Sequence, residues 1–171
     1  MIYKRKKISP INFLIDLDGV FTDGKFHYSE KGKILKVFGA DDHEAINILK
    51  NYMYIHVITA DVRGFEISRK RINEDMNLPL DLVGSKERLS WLADRFDLNS
   101  TIYMGDGIYD SLIFTNVMYS IAPRNALIFT KKYADYVTKS NGSERAVAEA
   151  CLHILTKFFS FKYSDILKIG F

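Results

Sequence analysis

Residues 11–24 read INFLIDLDGVFTDG, and the fold turns on them. Four of the first five are apolar or β-branched, and the run is too short for a helix, so it reads as a buried strand. The strand ends in Asp16-Leu17-Asp18-Gly19, two carboxylates two residues apart followed by a glycine. Such an ending suits the tip of a strand in an open α/β sheet, because ligands bind there, outside the carboxyl ends of the strands.

Similar short runs recur at 54–58, 80–83, 101–104 and 118–121. Between them lie segments with helical spacing of apolar residues at 43–50, 65–76, 86–96 and 109–116, and Ser143 opens a last one over 144–155. Strands that are near-continuous apolar runs, alternating with amphipathic helices, predict a doubly wound parallel α/β sheet, Rossmann-like, with helices on both faces. One section departs from the alternation. Residues 25–28 and 34–38 flank a turn at 29–33 and predict a β-hairpin flap within 19–38.

The 171 residues, 47% hydrophobic and of even composition, are expected to form a single domain over 1–171. A net charge of +3 gives no footprint for nucleic acid, and the basic cluster Lys4 to Lys7 reads as a solvated tail. The lone Cys151 cannot form an internal disulfide and reads as a buried small hydrophobe, which suits a reducing compartment. Pro10, Asn12 and Asp16 interrupt the apolar stretch that a secretory signal needs, and no run reaches the roughly 18 apolar residues of a membrane span. The expected location is cytoplasmic, with neither membrane nor nucleic acid as a partner. His56, inside a strand run, reads as a packed histidine, whereas His43 lies near the strand tips as a candidate substrate contact.

The polar residues after each strand form one set: Asp16, Asp18 and Gly19, then Thr59, then Lys86 opening the third helix, then Asp106 between Gly105 and Gly107, with Asp110 a turn later. Asp16 and Asp18 facing one crevice repel each other unless a cation compensates, and Mg2+ favours such oxygen ligands. A carboxylate that attacks a phosphate ester must approach a dianion, so the metal and a fixed cation, here Lys86, are needed to balance charge. The roles that follow are Asp16 as nucleophile forming an aspartyl-phosphate and Asp18 as acid/base. Thr59, Lys86 and Gly19 would hold the phosphoryl group. Asp16, Asp106 and the Asp18 carbonyl would hold Mg2+, and Asp110 would orient Lys86 or a metal-bound water.

DLDGVFTDG, Thr59, Lys86 and GDGIYD, in this order, resemble the motifs of the haloacid dehalogenase superfamily. An aspartate at position 18 implies phosphate hydrolysis within that superfamily, since its dehalogenating members lack it. Neither 24–54 nor 60–85 leaves room for the cap domain of larger relatives, which implies a capless chain whose lid comes from a neighbouring subunit.

Among capless members, the DGVFTDG motif, the Phe38 to Asp42 spacing and YVTKSNGSERAVAEACLHIL resemble the 3-deoxy-D-manno-octulosonate 8-phosphate phosphatases and relatives acting on nine-carbon sialic-acid-type 9-phosphates. The resemblance implies a Mg2+-dependent homotetramer, with flaps completing neighbouring sites, acting on a small sugar phosphate in surface-polysaccharide (lipopolysaccharide) synthesis. Three departures stand out. Asp41-Asp42-His43 replaces Arg-Asp-Gly, Thr59-Ala60-Asp61 replaces Thr-Gly-Arg, and Gly107 replaces an acidic residue. Arg63, Arg69 and Arg124 are the candidates to stand in for the lost guanidinium groups. Two other functions fit the pattern: a non-catalytic oligomerisation module like that of some sialic-acid cytidylyltransferases, and a capless phosphatase of larger substrates. The aromatic, basic segment 157–171 reads either as a docking tail or as an exposed helix end.

Overall fold

The computed structural model describes residues 9–168; the basic cluster Lys4 to Lys7 lies outside them. Strand β1 (Asn12–Asp16) is at the centre of a six-stranded sheet. It pairs in parallel with β4 (Tyr54–Thr59) on one side and with β6 (Thr101–Met104) on the other. β5 (Leu80–Leu82) extends the sheet beyond β4, and β7 (Tyr119–Ala122) and β8 (Tyr136–Val137) extend it beyond β6, every pairing parallel. The doubly wound α/β fold expected from the alternation is the observed one, with no cap domain among the described residues.

Period-2 alternation along the central strands assigns side chains to two cores. Phe13 and Ile15 of β1, with Ile102 and Met104 of β6, face α1 (Asp41–Leu49) and α6 (Ala146–Phe158). Leu14 and Tyr103 face the opposite way, toward Leu92 of α3 (Arg88–Ala93) and Ile113 of α4 (Asp110–Phe114). The same alternation points Asp16 to the α3–α4 side.

The hairpin is present but shifted. Its strands are β2 (His27–Ser29) and β3 (Gly32–Leu35), joined by a tighter turn with Gly32 at φ +111°. Beyond it Thr22 bridges Phe38, so the loop after β1 and the return to α1 are tied at the base. The helix expected at 65–76 divides into α2 (Phe65–Arg69) and a π-helical continuation, Lys70–Asp75. The short helices α5 (Ile128–Lys131) and α7 (Tyr163–Ile166) and the two-residue strand β8 carry too few residues for a period to register. Segment 157–171 forms the end of α6 and then α7 as far as it is described. Among the described residues, no helix is long and apolar enough to cross a membrane.

Candidate active site

The loop leaving β1 turns back at once. The amides of Val20, Phe21 and Thr22 all reach the Leu17 carbonyl, and Gly19 takes φ +87°, a conformation that glycine adopts without a Cβ penalty. A Cβ on Gly19 would overlap the Asp106 carboxylate, so the missing side chain lets the β6 tip close against the β1 loop.

Asp16 and Asp110 are buried, and one carboxylate oxygen from each lies within 4.8 Å of one from Asp106. Burial, reinforced by Asp16 and Asp110, pushes the Asp106 carboxyl up to about 8. Asp16 is also raised, mainly by burial, against the opposing pull of Arg88. Three carboxylates so placed are poorly balanced by protein charge alone, and their oxygen donors suit a hard divalent cation.

Arg88, at the start of α3, is the cation of the group. Its Nη1 lies 2.9 Å from Asp16 Oδ2 and 2.9 Å from Asp110 Oδ1, and it donates to Tyr103 Oη at 3.1 Å. Burial opposes its charge, but the facing Tyr103, Asp16 and Asp110 outweigh that and strengthen it. Asp110 has no spare oxygen: Oδ1 also accepts from the Tyr103 hydroxyl at 2.7 Å, and Oδ2 from the amides of Asp106 and Gly107 at 3.0 and 2.8 Å. Asp110 therefore fixes the guanidinium and the Asp106 loop together, a second-layer task beside any metal.

Lys86, expected from the sequence beside Asp16, is exposed, and Arg88 two residues on takes that place. α3 begins at Arg88, which is buried against Asp16, whereas Lys86 lies in the turn before the helix and is exposed. Thr59 is buried at the β4 tip and donates to Asp18 Oδ2 at 2.7 Å. Asp18, half-buried, pairs through Oδ1 with Lys36 at 2.7 Å. Asp16, Asp18, Phe26, Asp61, Ser85 and Arg88 line a cleft of about 310 Å3. Sequence reasoning missed Arg88, Tyr103 and Lys36. Arg88 was discoverable as a second basic residue near the helix start, whereas Tyr103 looked like one more apolar strand residue and Lys36 like part of the flap hairpin.

His56 packs between Trp91 and Phe96 and bonds Asp81 at 2.8 Å, as a packed histidine should. Among the candidate substitutes for the lost arginines, Arg69 is engaged with Glu66 and Glu74 on the surface. Arg63 and Arg124 do not line the cleft.

A family model for haloacid dehalogenase-like hydrolases matches residues 86–151. The 3-deoxy-D-manno-octulosonate 8-phosphate phosphatase KdsC of Haemophilus influenzae is 31% identical over 151 residues, 85% of this chain and 83% of that protein. The enzyme of the same name from Escherichia coli K12 is 26% identical over 149 residues, 81% of this chain and 75% of its own. Among solved structures, the cobalt-bound H. influenzae phosphatase superposes with a TM-score of 0.78 at 25% identity, covering 95% of this chain and 99% of that one. The Moraxella catarrhalis phosphatase, solved with magnesium, phosphate and KDO, shares the fold at a TM-score of 0.80 and 23% identity, with 94% of each chain covered. The chain belongs to the haloacid dehalogenase-like hydrolases, in the 3-deoxy-D-manno-octulosonate 8-phosphate phosphatase family, and is a phosphoric monoester hydrolase.

Proposed function

We propose that this phosphatase releases phosphate from a small phosphorylated sugar acid, 3-deoxy-D-manno-octulosonate 8-phosphate, in a Mg2+-dependent reaction through an aspartyl-phosphate on Asp16. The observation that carries the reading is the grouping of Asp16, Arg88, Asp106 and Asp110 at one end of the sheet.

Asp16 attacks phosphorus, and the ester oxygen leaves with the proton of Asp18. Asp18 then takes a proton from the water that attacks the aspartyl-phosphate, which restores both carboxyl groups. Arg88, held by Asp110 and Tyr103, supplies fixed positive charge beside the attacking oxygen. Thr59 and Gly19 lie at the same tips and are assigned to the phosphoryl group; the Thr59 hydroxyl donates to Asp18 and the Gly19 amide to Thr22, so each would exchange its partner when the phosphoryl group binds. Asp16, Asp106 and the Asp18 carbonyl are the residues that would hold Mg2+, which supplies positive charge for the phosphoryl oxygens.

Asp61 stands where the family has arginine, and its carboxylate faces the cleft paired with Lys33 and Lys36. Because that replacement changes a charge in the cleft, a second reading of the leaving group is a nine-carbon sialic-acid-type 9-phosphate. We assign the protein to the cytoplasm and to a homotetramer. Phe26, Tyr28, Ile34, Leu35 and Val37 are exposed on the flap, and a two-stranded hairpin is marginal without a partner. A neighbouring subunit would cover it and complete the site.

Phosphate release from the eight- and nine-carbon substrates with Mg2+, compared between the wild type and Asp16→Asn, tests the proposal. Turnover by the wild type and none by Asp16→Asn is the expected result. Turnover persisting in the variant would remove Asp16 as nucleophile, and a wild type inert on both sugars would remove the substrate class.

A further inference from the structure

Lys36 lies just past the flap, one residue beyond β3, yet its side chain is wholly buried at the active site. Its Nζ lies 2.7 Å from Asp18 Oδ1, 2.9 Å from Asp61 Oδ2 and 2.8 Å from Ser68 Oγ. The Ser68 contact has hydrogen-bond geometry and the two carboxylate contacts are close ion pairs; Asp18 Oδ1 is buried and accepts no hydrogen bond, so the Lys36 charge is what balances it. The acceptors are themselves held. Asp18 Oδ2 takes the Thr59 hydroxyl, Thr59 Oγ1 accepts the Asp61 amide at 3.1 Å, and Ser68 donates to the Gly64 carbonyl at 3.1 Å. Lys36, Asp18, Thr59 and Asp61 thus close a ring that joins the flap, the β1 loop and the loop after β4.

We propose that Lys36 is a positioning residue that, with Thr59 on the other oxygen, fixes the Asp18 carboxyl group in the orientation from which it protonates the leaving oxygen. The inference rests on the phosphatase reading above. As the Asp16–phosphorus bond forms and the phosphorus–ester bond breaks, the ester oxygen takes the Asp18 proton. Without the Lys36 contact, Oδ1 is free to swing, and the carboxyl group spends less time aimed at that oxygen. Burying a lysine is costly unless its charge is paired, here by two carboxylates, and an apolar side chain would anchor a flap as well. The ammonium is accounted for by what it does to Asp18.

Leaving-group dependence separates this role from a purely structural one, because kcat/KM covers the steps through the first phosphoryl transfer. Benzyl phosphate has a basic leaving oxygen that needs a proton; p-nitrophenyl phosphate has an acidic one that scarcely does. For Lys36→Met we expect kcat/KM to fall about 100-fold on benzyl phosphate and only several-fold on p-nitrophenyl phosphate, the loss on phenyl phosphate being intermediate. Ser68→Ala, which touches neither Asp18 nor the cleft, should give the same ordering with smaller losses, and it supplies the test if Lys36→Met fails to fold. Equal losses on all three esters, or no loss, would overturn the proposal. A wild type inactive on all three and on the eight- and nine-carbon sugar phosphates would instead overturn the phosphatase reading.

Discussion

At the residue scale, the site depends on one charge and one missing side chain. Arg88 touches Asp16 and Asp110, whereas Lys86 is exposed. Arg88→Ala is therefore expected to lower kcat/KM by about 1,000-fold, since it removes fixed charge beside the attacking oxygen and leaves Asp110 buried without its cation. Lys86→Ala is expected to stay within about twofold, as surface substitutions usually do. The reverse pattern in steady-state kinetics would restore Lys86 to the role expected from the sequence. Gly19→Ala meets two obstacles, a φ of +87° and the Asp106 carboxylate. It should cost about 1–3 kcal/mol in denaturant unfolding and displace Asp106 from the cation site, so Mg2+ affinity measured by titration calorimetry should fall with it. The acidic residues were legible because two carboxylates at a strand tip have few other uses. The cation was not, because Lys86 and Arg88 are both basic and only the helix start tells them apart.

At the scale of elements, α6 has no side chain of its own capping its N-terminus; its cap position, Arg145, is in a left-handed conformation. Asp42 of α1 fills that role across 106 residues of sequence, accepting the Ala148 amide at 2.8 Å. Its other oxygen, Oδ2, is buried with no hydrogen-bond partner, and burial pushes the carboxyl up to about 6 despite the Ala148 amide, with Asp41 adding to the rise. A folded value above the unfolded 3.8 means that the contribution of Asp42 is fully present below about pH 4 and is lost as pH rises through 6. Asp42→Asn keeps an acceptor for Ala148 and removes the charge. It should gain on the order of 2 kcal/mol relative to wild type at pH 8 and little at pH 4. Urea melts of both proteins at the two pH values check this, and a gain of equal size at both would show that the Asp42 charge is not the cause. The central strands were readable as apolar runs because β1, β4 and β6 are buried on both faces. The flap arms were placed a few residues off because a two-stranded ribbon with exposed apolar residues has no buried face to fix its register.

At the scale of the whole molecule, folding itself brings the carboxylates together. Asp16 comes from β1, Asp106 from the loop after β6 and Asp110 from α4, 94 residues apart at the extremes. Their mutual repulsion and desolvation act against the native state whenever they are ionised without a cation. With Asp106 near 8 and Asp16 raised in the same direction, both above the unfolded 3.8, their stabilising contribution is full below about pH 4 and is lost as pH rises through about 8. A divalent cation binds the ionised form and so opposes the loss, stabilising the fold in proportion to the logarithm of its occupancy. Protons compete for the same oxygens, so the rise in Tm on adding saturating Mg2+ to chelator-treated protein should grow between about pH 6 and about pH 8.5. Asp106→Asn removes one ligand and the most strongly raised of these carboxyls, and should abolish most of that increment. Thermal melts of the two proteins with and without Mg2+ across this range make the comparison. An increment independent of pH, or one that survives in Asp106→Asn, would put the cation somewhere other than beside Asp16 and Asp106.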